Sequence, residues 1–302
     1  MSEALDLLGG AQRIRPRVRG FALWTPRAET QALLDQVRAV LGEYENHLPL
    51  TIRQIFYRLV GRHEYEKTER AYDRLCEHLN RARRAQILSM DAIRDDGTTT
   101  IAPNAWESAE DFLEAVRHQA GHLRLDRTRG QKTRLVVNCE AAGMAPQLGR
   151  VADPFGVMVI SSGGFESTTE RYNFARELAD HDRPTEVLDI GDHDPSGAHK
   201  YLAFLEDVEA FVRELGGEVT FTRLAVTPEQ IEAFALPTAP PKPTDNRAFN
   251  GDTCQAEALA PDVLADIVRT AIEQRIDRRA YERVLRQERS VQRALIRKLR
   301  SL

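Results

Sequence analysis

Between residues 134 and 225 the sequence alternates short apolar segments with longer amphipathic ones, and this alternation limits the fold more than any other feature. The amphipathic segments carry apolar residues at the spacing of one helix face. The apolar segments read RLVVNCE, GVMVISS, TEVLDIGD and EVTFTRLAV. Strands and helices that alternate in this way are typical of a parallel α/β sheet flanked by helices, which is the fold class that we predict.

The composition is that of an ordinary globular protein. The 302 residues suggest about two domains, and 42% hydrophobic with 29% charged residues allow a buried core. Cys76, Cys139 and Cys254 stand far apart, so we expect neither a disulfide framework nor a zinc site. No long apolar segment opens the chain, and no run approaches the ~20 apolar residues of a membrane span. We therefore expect a cytoplasmic protein.

Charge is distributed unevenly along the chain. Residues 1–134 carry 22 basic and 19 acidic residues, residues 135–270 carry 10 and 23, and residues 271–302 carry 10 and 4. An acidic middle suits divalent cations, and basic flanks suit a polyanion such as DNA. The alternative is solvated surface charge that binds no ligand.

The N-terminal part is predicted to be mainly helical. Residues 28–47 have apolar residues at helical spacing, Thr51 can cap a short second helix that ends at Gly61, and Thr68 can cap a third. Three helices with a short middle one resemble a helix-turn-helix.

A hairpin after the third helix would complete a winged helix. Residues 87–103 read as two short strands around a turn at Asp96-Gly97. We predict four parts of the chain: a flexible N-terminal segment, a winged-helix DNA-binding domain, an α/β metal-binding domain, and a Pro-rich loop with C-terminal helices that completes the α/β half. Their predicted bounds are 1–25, 26–128, 132–227 and 228–302.

Three carboxylates follow predicted strands. Glu140 comes after the first strand, and Asp192 and Asp194 come after the third. Because function in an open α/β sheet gathers at the carboxyl ends of strands, we expect the three side chains to converge, and such oxygen ligands suit Mg²⁺. The alternative is that Asp192 and Asp194 shape a turn or cap the next helix. We expect His193 and His199 to pack or to face solvent.

This arrangement resembles the Toprim domain of topoisomerases, primases and certain nucleases, whose signature is a Glu after one strand and Asp-x-Asp after a later one. The stretch GDHDPSGAHK is similar to the Asp-x-Asp-Pro-x-Gly of the topoisomerase VI A subunit and its relative, the meiotic double-strand-break protein. The stretch SSGGFESTTERYNFARELA resembles that family's Gly-rich turn and helix, with Gly163 near the place of a usual Lys. The resemblance implies an α/β Toprim fold with magnesium at Glu140, Asp192 and Asp194.

The same family carries a winged-helix domain before the Toprim domain. Its motif is Arg-acidic-Ile-Tyr-Tyr, and the second Tyr attacks DNA. The stretch TIRQIFYRLV matches from Arg53 to Tyr57, with Gln54 in place of the acidic residue and Phe56 in place of the first Tyr. The resemblance implies that Tyr57 is the nucleophile and that Arg53, one helical turn earlier, contacts the phosphate or the phenol.

A tyrosine nucleophile needs help from its surroundings. Its hydroxyl has a pKa near ~10, so about 0.1% is ionised at neutral pH. A metal ion held by the three carboxylates could orient the scissile phosphate and offset charge on its oxygens. The alternative role for Tyr57 is a core aromatic, and we assign the rival tyrosines Tyr65 and Tyr72 to packing.

We therefore predict a DNA-cleaving enzyme, a Mg²⁺-dependent DNA topoisomerase of the topoisomerase VI A type that forms a 5′-phosphotyrosyl link. The resemblance also implies double-stranded DNA as substrate, a homodimer, and a separate ATPase subunit, because this chain has no ATPase signature. The residues assigned to the DNA backbone are Arg58, Arg81, Arg83 and Arg84. Two alternatives stay open: a Toprim nuclease that cleaves with metal-activated water, as in plasmid-defence nucleases, and a non-catalytic DNA-binding protein.

Overall fold

The structure, a computed structural model, describes residues 21–94, 105–162, 168–242, 249 and 251–300. Its strands are β1 Leu50–Thr51, β2 Ile93–Arg94, β3 Arg134–Cys139, β4 Met158–Ser161, β5 Thr185–Ile190 and β6 Val219–Ala225. Its α-helices are α1 Ala28–Glu43, α2 Ile52–His63, α3 Glu69–Arg84, α4 Ala109–Gly121, α5 Ala145–Ala152, α6 Thr168–Ala179, α7 Pro195–Glu214, α8 Pro228–Ala233, α9 Pro261–Arg275 and α10 Arg278–Arg300. Within those residues, no helix is both long and apolar enough to cross a membrane.

The main sheet is parallel and has four strands in the order β4-β3-β5-β6. Val136 of β3 lies between Met158 of β4 and Val187 of β5, and Val187 lies beside Phe221 of β6. The predicted parallel sheet flanked by helices is therefore confirmed. The chain leaves β3 in one direction to form β4 and returns to the other side to form β5. The carboxyl ends of β3 and β5 therefore border a crevice of the kind in which α/β sheets bind ligands.

Both faces of this sheet are covered by helices. On one face, Val136 and Val187 pack against Phe174 of α6 and Phe204 of α7. On the other face, Val137 belongs to a larger apolar cluster that includes residues of α5 and α9. Successive residues of β3 thus enter opposite cores, as the alternation of side chains along a doubly covered strand requires.

The N-terminal helices begin at the predicted caps. Thr51 accepts a hydrogen bond from the backbone N–H of Gln54, whose side chain accepts one from the N–H of Thr51, and this reciprocal capping box starts α2. Thr68 caps α3 through the N–H of Ala71. Helix α2 continues two residues beyond the expected Gly61 and ends at His63.

The predicted wing is described only in part, since its turn at Asp96-Gly97 lies outside the described residues. The segment before that turn forms a short 3₁₀ helix, Met90–Ala92, and then the two-residue strand β2. This strand pairs in parallel with β1, which lies between α1 and α2. The order α1-β1-α2-α3-β2 is compatible with a winged helix, which stays a prediction.

The N-terminal helices share their core with the sheet. Leu34 of α1, Ile55 of α2 and Leu75 of α3 belong to the same buried cluster as Val137 of β3 and Ile272 of α9. Helix α9 packs against α5, and α10 packs against α4. The helical part and the α/β part are therefore joined by packed side chains as well as by the chain itself.

One ion pair fastens the chain between α4 and β3 to the C-terminal helix. The Arg127 guanidinium contacts the Glu288 carboxylate at 2.7 Å, and the two side chains are 15% and 5% exposed. The same carboxylate accepts a hydrogen bond from the backbone N–H of Leu125 at 3.0 Å. The segment between α4 and β3 is thus held against α10.

Replacing Glu288 by Ala leaves the Arg127 charge buried without its partner. We expect this change to lower the free energy of unfolding by about 3–5 kcal/mol, as is usual when one member of a buried pair is removed. Urea denaturation measures the loss. The matched control is Asp266→Ala, because Asp266 pairs with Arg269 on the surface, where the exposed fractions are 71% and 47%. Equal losses for the two variants would contradict a structural role for the buried pair.

Candidate active site

The three predicted carboxylates lie at the carboxyl edge of the sheet, next to the crevice between β3 and β5. Glu140 directly follows β3, and its backbone N–H donates to the carbonyl of Ile190, the last residue of β5, at 2.9 Å. Asp192 and Asp194 follow β5 within four residues. The parallel pairing of the two strands therefore brings these side chains to one place, as the sequence predicts.

Two glycines leave room for the carboxylates. A Cβ atom on Gly191 would lie 3.2 Å from Glu140 Oε2, and one on Gly197 would lie 3.3 Å from the same oxygen. The Cβ position on Gly197 is also 3.3 Å from Asp194 Oδ1. The Glu140 and Asp194 oxygens are therefore separated by at most twice 3.3 Å. A side chain at Gly197 would occupy the space that separates them.

Each carboxylate has one oxygen held by a backbone N–H. Glu140 Oε2 accepts from Asp192 N at 3.2 Å, Asp192 Oδ1 from Ala256 N at 2.8 Å, and Asp194 Oδ1 from Gly197 N at 2.6 Å. Asp194 is the N-cap of α7, so the capping role that we left open is real. Among the described residues, no hydrogen bond reaches the second oxygen of any of the three.

The three carboxylates are therefore suited to a hard cation, although their side chains do not stand in the coordination geometry of a metal site. In the ranges that the structure describes, no three His, Cys, Asp or Glu side chains stand in metal-binding geometry. Three carboxylates, each with one oxygen outside the hydrogen-bond network of the described chain, match the ligand preference of Mg²⁺. The suitability of this place for Mg²⁺ is thus inferred from the chemistry of the oxygen donors and from the space beside Gly197.

Burial and like charge make Asp192 unusual. Burial, together with the charges of Glu140 and Asp194, raises the pKa of its carboxyl to about 6, although the Ala256 N–H and Arg53 oppose the change. A group that resists ionisation in this way gains from a bound cation. The electrostatics therefore agree with a cation site.

A buried layer behind the carboxylates fixes the end of β5. Arg223 of β6 forms an ion pair with the buried Asp189, and its guanidinium also donates to the Asp192 carbonyl at 2.8 Å. Asn138 donates to Asp189 at 2.6 Å. Neither Asp189 nor Arg223 is among the site residues predicted from the sequence. The signal available was a charged residue within each of two predicted strands.

A cleft of about 460 Å³ opens between the acidic edge of the sheet and the N-terminal helices. It is lined by Thr51, Ile52, Arg53, Tyr72, Arg94, Glu140, Ala141, Ala142, Gly143, Asp192 and Glu257. Its walls thus carry carboxylates on one side and guanidinium groups on the other. Such a mixture suits a phosphate bridged to the protein by a cation.

Arg53 reaches this cleft as predicted. Its guanidinium lies 3.6 Å from the Glu257 carboxylate and donates to the Gln255 side-chain oxygen at 3.1 Å. The guanidinium carbon also lies over the ring of Tyr72, at 5.6 Å from the ring centroid. Arg53 is therefore held by neighbours on two sides and faces the acidic edge.

Tyr57 lies beside the acidic cluster but does not line the cleft. The residue is 5% exposed, and its hydroxyl donates to Gln255 Oε1 at 2.5 Å. Burial raises the pKa of this phenol above its ordinary value, Asp192 raises it further, and Arg53 opposes the change. In this arrangement Tyr57 is a poor nucleophile. Its ring is buried in the core, which is the alternative role given for it above.

Tyr72 is the tyrosine that lines the cleft, which the sequence analysis did not foresee. Its ring packs edge-on against Phe56 at 5.3 Å, so the expected packing role is also present. Its place beside Arg53 depends on how α3 packs against α2, and no local pattern predicts that contact. Tyr65, by contrast, donates its hydroxyl to the Ala71 carbonyl at 3.0 Å and is structural.

The arginines assigned to DNA divide into two groups. Arg81, Arg83 and Arg84 occupy the last turn of α3, where Arg81 pairs with Glu77 on the surface. Arg58 instead turns inward and donates to the Ala258 carbonyl, and its Nε is buried without an acceptor in the described chain. This position does not favour a DNA contact for Arg58, because the guanidinium holds two parts of the protein together.

The two histidines near the cluster behave as expected. His193 pairs with Cys254 through its backbone, and its ring lies against Phe249 with centroids 4.9 Å apart. His199 is exposed on α7.

No protein-family model matches this sequence, and a search of curated proteins finds no significant match. The likeness to the topoisomerase VI A family therefore rests on the sequence motifs alone.

Protonation of Asp192 should compete with cation binding, because its carboxyl pKa is raised to about 6. Below that pH the protonated group must lose its proton before it can bind a metal ion, so Mn²⁺ affinity should fall about fivefold from pH 6 to pH 5 and approach about tenfold for each further unit below pH 5. Above pH 7 affinity should level off. Isothermal titration calorimetry measures this profile, with Asp192→Asn as the variant that should bind weakly at every pH. A flat profile for the wild-type protein would exclude Asp192 as a ligand.

Proposed function

We propose that this protein is a Mg²⁺-dependent DNA-cleaving enzyme with a Toprim-type acidic site. The observation that carries the proposal is the convergence of Glu140, Asp192 and Asp194 at the switch point of a parallel sheet, beside a cleft whose opposite wall carries Arg53. These carboxylates would hold the cation, which supplies charge neutralisation and an activated oxygen nucleophile. Arg53 binds the phosphate and keeps it against the acidic edge.

Duplex DNA is the proposed substrate. The order of the described N-terminal elements is compatible with a winged helix, and α3 ends in a cluster of arginines. Arginines at such a position contact phosphates and position the duplex without reading its sequence. The family likeness adds a homodimer to the proposal, in which two such sites would cut opposite strands.

Hydrolysis by water is the chemistry that the geometry favours. Tyr57, which the motif names as nucleophile, has its hydroxyl on Gln255 and a pKa raised by burial. It also stands outside the lining of the cleft. We therefore place hydrolysis before transesterification, whereas the sequence alone favours the topoisomerase reaction.

Transesterification by Tyr57 is the second candidate, and one contact favours it. Gln255, which accepts from the Tyr57 hydroxyl and from Arg53, precedes Ala256, whose N–H binds Asp192. Release of the Gln255 side chain would therefore uncover the hydroxyl next to the acidic cluster. In that case a topoisomerase of the topoisomerase VI A type, with its separate ATPase subunit, becomes the better description.

The two candidate reactions leave different products, which can be distinguished when the protein is denatured after DNA cleavage. The protein is incubated with end-labelled duplex DNA and Mg²⁺, and the products are separated with detergent. We expect free DNA ends and no protein–DNA adduct. The cleavage rate of Tyr57→Phe should stay within about threefold of the wild-type rate. Glu140→Gln, which removes a proposed metal ligand, should cleave at least about a hundredfold more slowly.

Two results would contradict hydrolysis. A covalent adduct that Tyr57→Phe abolishes would establish the second candidate. Normal DNA binding with neither cleavage nor adduct would indicate a non-catalytic DNA-binding protein.

Tyr72 should contribute to cleavage through its hydroxyl. Because this side chain lines the cleft beside Arg53, we expect it to donate to the bound phosphate. A hydrogen bond to a charged group contributes about 1.5–3 kcal/mol, so Tyr72→Phe should lower kcat/KM roughly 10- to 100-fold. Tyr65→Phe is the matched control and should retain activity, since its hydroxyl serves the Ala71 carbonyl. Equal activities of the two variants would remove Tyr72 from the site.

A further inference from the structure

Six arginines form a stripe along the exposed face of α10, the C-terminal helix. They recur at the i, i+4, i+7 spacing of one helix face, so they fall within a sector of roughly 100° around the axis. All six are exposed, whereas Ala280, Val284 and Glu288 on the opposite side are buried. The members of this basic stripe are Arg279, Arg283, Arg286, Arg293, Arg297 and Arg300.

The charge of the stripe is largely uncompensated within the described chain. Helix α10 carries nine basic and two acidic residues. One of the acids, Glu288, is buried against Arg127, and the other, Glu282, lies 4.0 Å from Arg286 and 3.2 Å from Arg278. Apart from Arg286, no arginine of the stripe forms an ion pair with a carboxylate of the described residues.

The requirements of the helix itself do not explain these arginines. The first turn of α10 holds Arg279 and no acidic residue. Asp277 caps this end and interacts with Arg279 and Arg283, but positive charge at a helix N-terminus still opposes the macrodipole. Like charges one turn apart, such as Arg279 and Arg283, repel each other. Only Arg297 and Arg300, near the other end, are favourable to the dipole. A row of this kind gains stability when an anion lies along it.

A polyanion with regular spacing fits the stripe. From Arg279 to Arg300 it extends about 31 Å, at ~1.5 Å per residue, which is close to one turn of duplex DNA at about 34 Å. Arginine presents a planar fork that binds phosphate oxygens in pairs. The stripe contains no large apolar side chain that could enter a lipid surface.

We infer that the basic stripe of α10 binds the phosphate backbone of duplex DNA at a place separate from the cleft. Helix α10 starts at the amino edge of the sheet, where Asp277 N donates to Gln131 Oε1 at 2.6 Å and the Gln131 amide donates to the Asp277 carbonyl at 3.1 Å. Glu140 and its neighbours lie at the opposite, carboxyl edge. The stripe therefore holds a DNA segment away from the scissile phosphate, and the inference rests on the proposed function only for the identity of the polyanion.

The test is the salt dependence of DNA binding by the full chain. Fluorescence anisotropy with a duplex of about 30 base pairs is measured in EDTA, so cleavage plays no part. The variant replaces Arg279, Arg286 and Arg293 by Gln. Each lost phosphate contact should reduce the slope of log K against log salt by ~0.9, so the slope should flatten by up to about 2.7 and affinity should fall at least tenfold.

A matched variant controls for net charge. It replaces Arg176, Arg213 and Arg269 by Gln, three exposed arginines on α6, α7 and α9, and should bind DNA as the wild type does. Thermal melting checks that both variants are folded. Unchanged affinity and slope in the stripe variant, or a loss equal to that of the control, would overturn the inference.

The outcomes separate this inference from the proposed function. A wild-type protein that binds DNA through the stripe but does not cleave it would refute the nuclease and leave the inference intact. DNA cleavage by the wild type, together with a stripe variant that binds DNA normally, would support the nuclease and refute the inference. A stripe variant that loses binding to an RNA hairpin or to phosphatidylserine vesicles, and not to DNA, would also overturn the inference.

Discussion

The cost of burying two neighbouring carboxylates at one edge of the sheet is the constraint on which the candidate site depends. The pairing of β3 with β5 brings Glu140 beside Asp192, whose N–H donates to Glu140 Oε2. Both residues are partly buried, and burial together with the charges of Glu140 and Asp194 raises the pKa of Asp192 to about 6. Backbone N–H groups of Asp192 and Ala256 offset part of this cost. Arg223 holds the chain between them by binding the Asp192 carbonyl. In the proposed function, a bound cation would supply the compensation that these contacts leave incomplete.

The segment 254–258 joins this acidic edge to the N-terminal helices. Thr51 and Arg53 contact Glu257, Tyr57 and Arg53 contact Gln255, and the N–H of Ala256 binds Asp192. A displacement of α2 would therefore be passed to the carboxylates through three consecutive residues. The same connection explains why Tyr57 stands so close to the cluster and yet has its hydroxyl occupied.

Much of this fold follows from local signals in the sequence. Apolar segments of strand length predict the four-stranded sheet, and the hydroxyl groups of Thr51 and Thr68 predict the starts of two helices, because both signals act over a few neighbouring residues. The carboxylates after β3 and β5 are likewise predictable, since strand ends of a parallel sheet meet at one edge. The inward position of Arg58 and the exposure of Tyr72 to the cleft are not predictable, because they depend on how distant segments pack.

The replacement of the motif's acidic residue by Gln54 also has a tertiary cause. Its amide donates to the side chain of Gln147 in α5 at 2.7 Å, in a buried place where Gln147 also donates to the Pro261 carbonyl at 3.1 Å. An unpaired carboxylate at position 54 would lack this donor and would be buried at a cost. Gln54, where the resembled motif has an acidic residue, thus links the helical part to the sheet.

The most direct test of the account is a crystal of the wild-type protein soaked in Mn²⁺ and measured at the manganese absorption edge. The account predicts one anomalous peak with oxygens of Glu140, Asp192 and Asp194 at about 2.0–2.6 Å, the range for hard cations and oxygen ligands. The peak should disappear in a crystal of Glu140→Gln. An anomalous map with no peak among these three carboxylates, at a Mn²⁺ concentration that supports DNA cleavage, would contradict it.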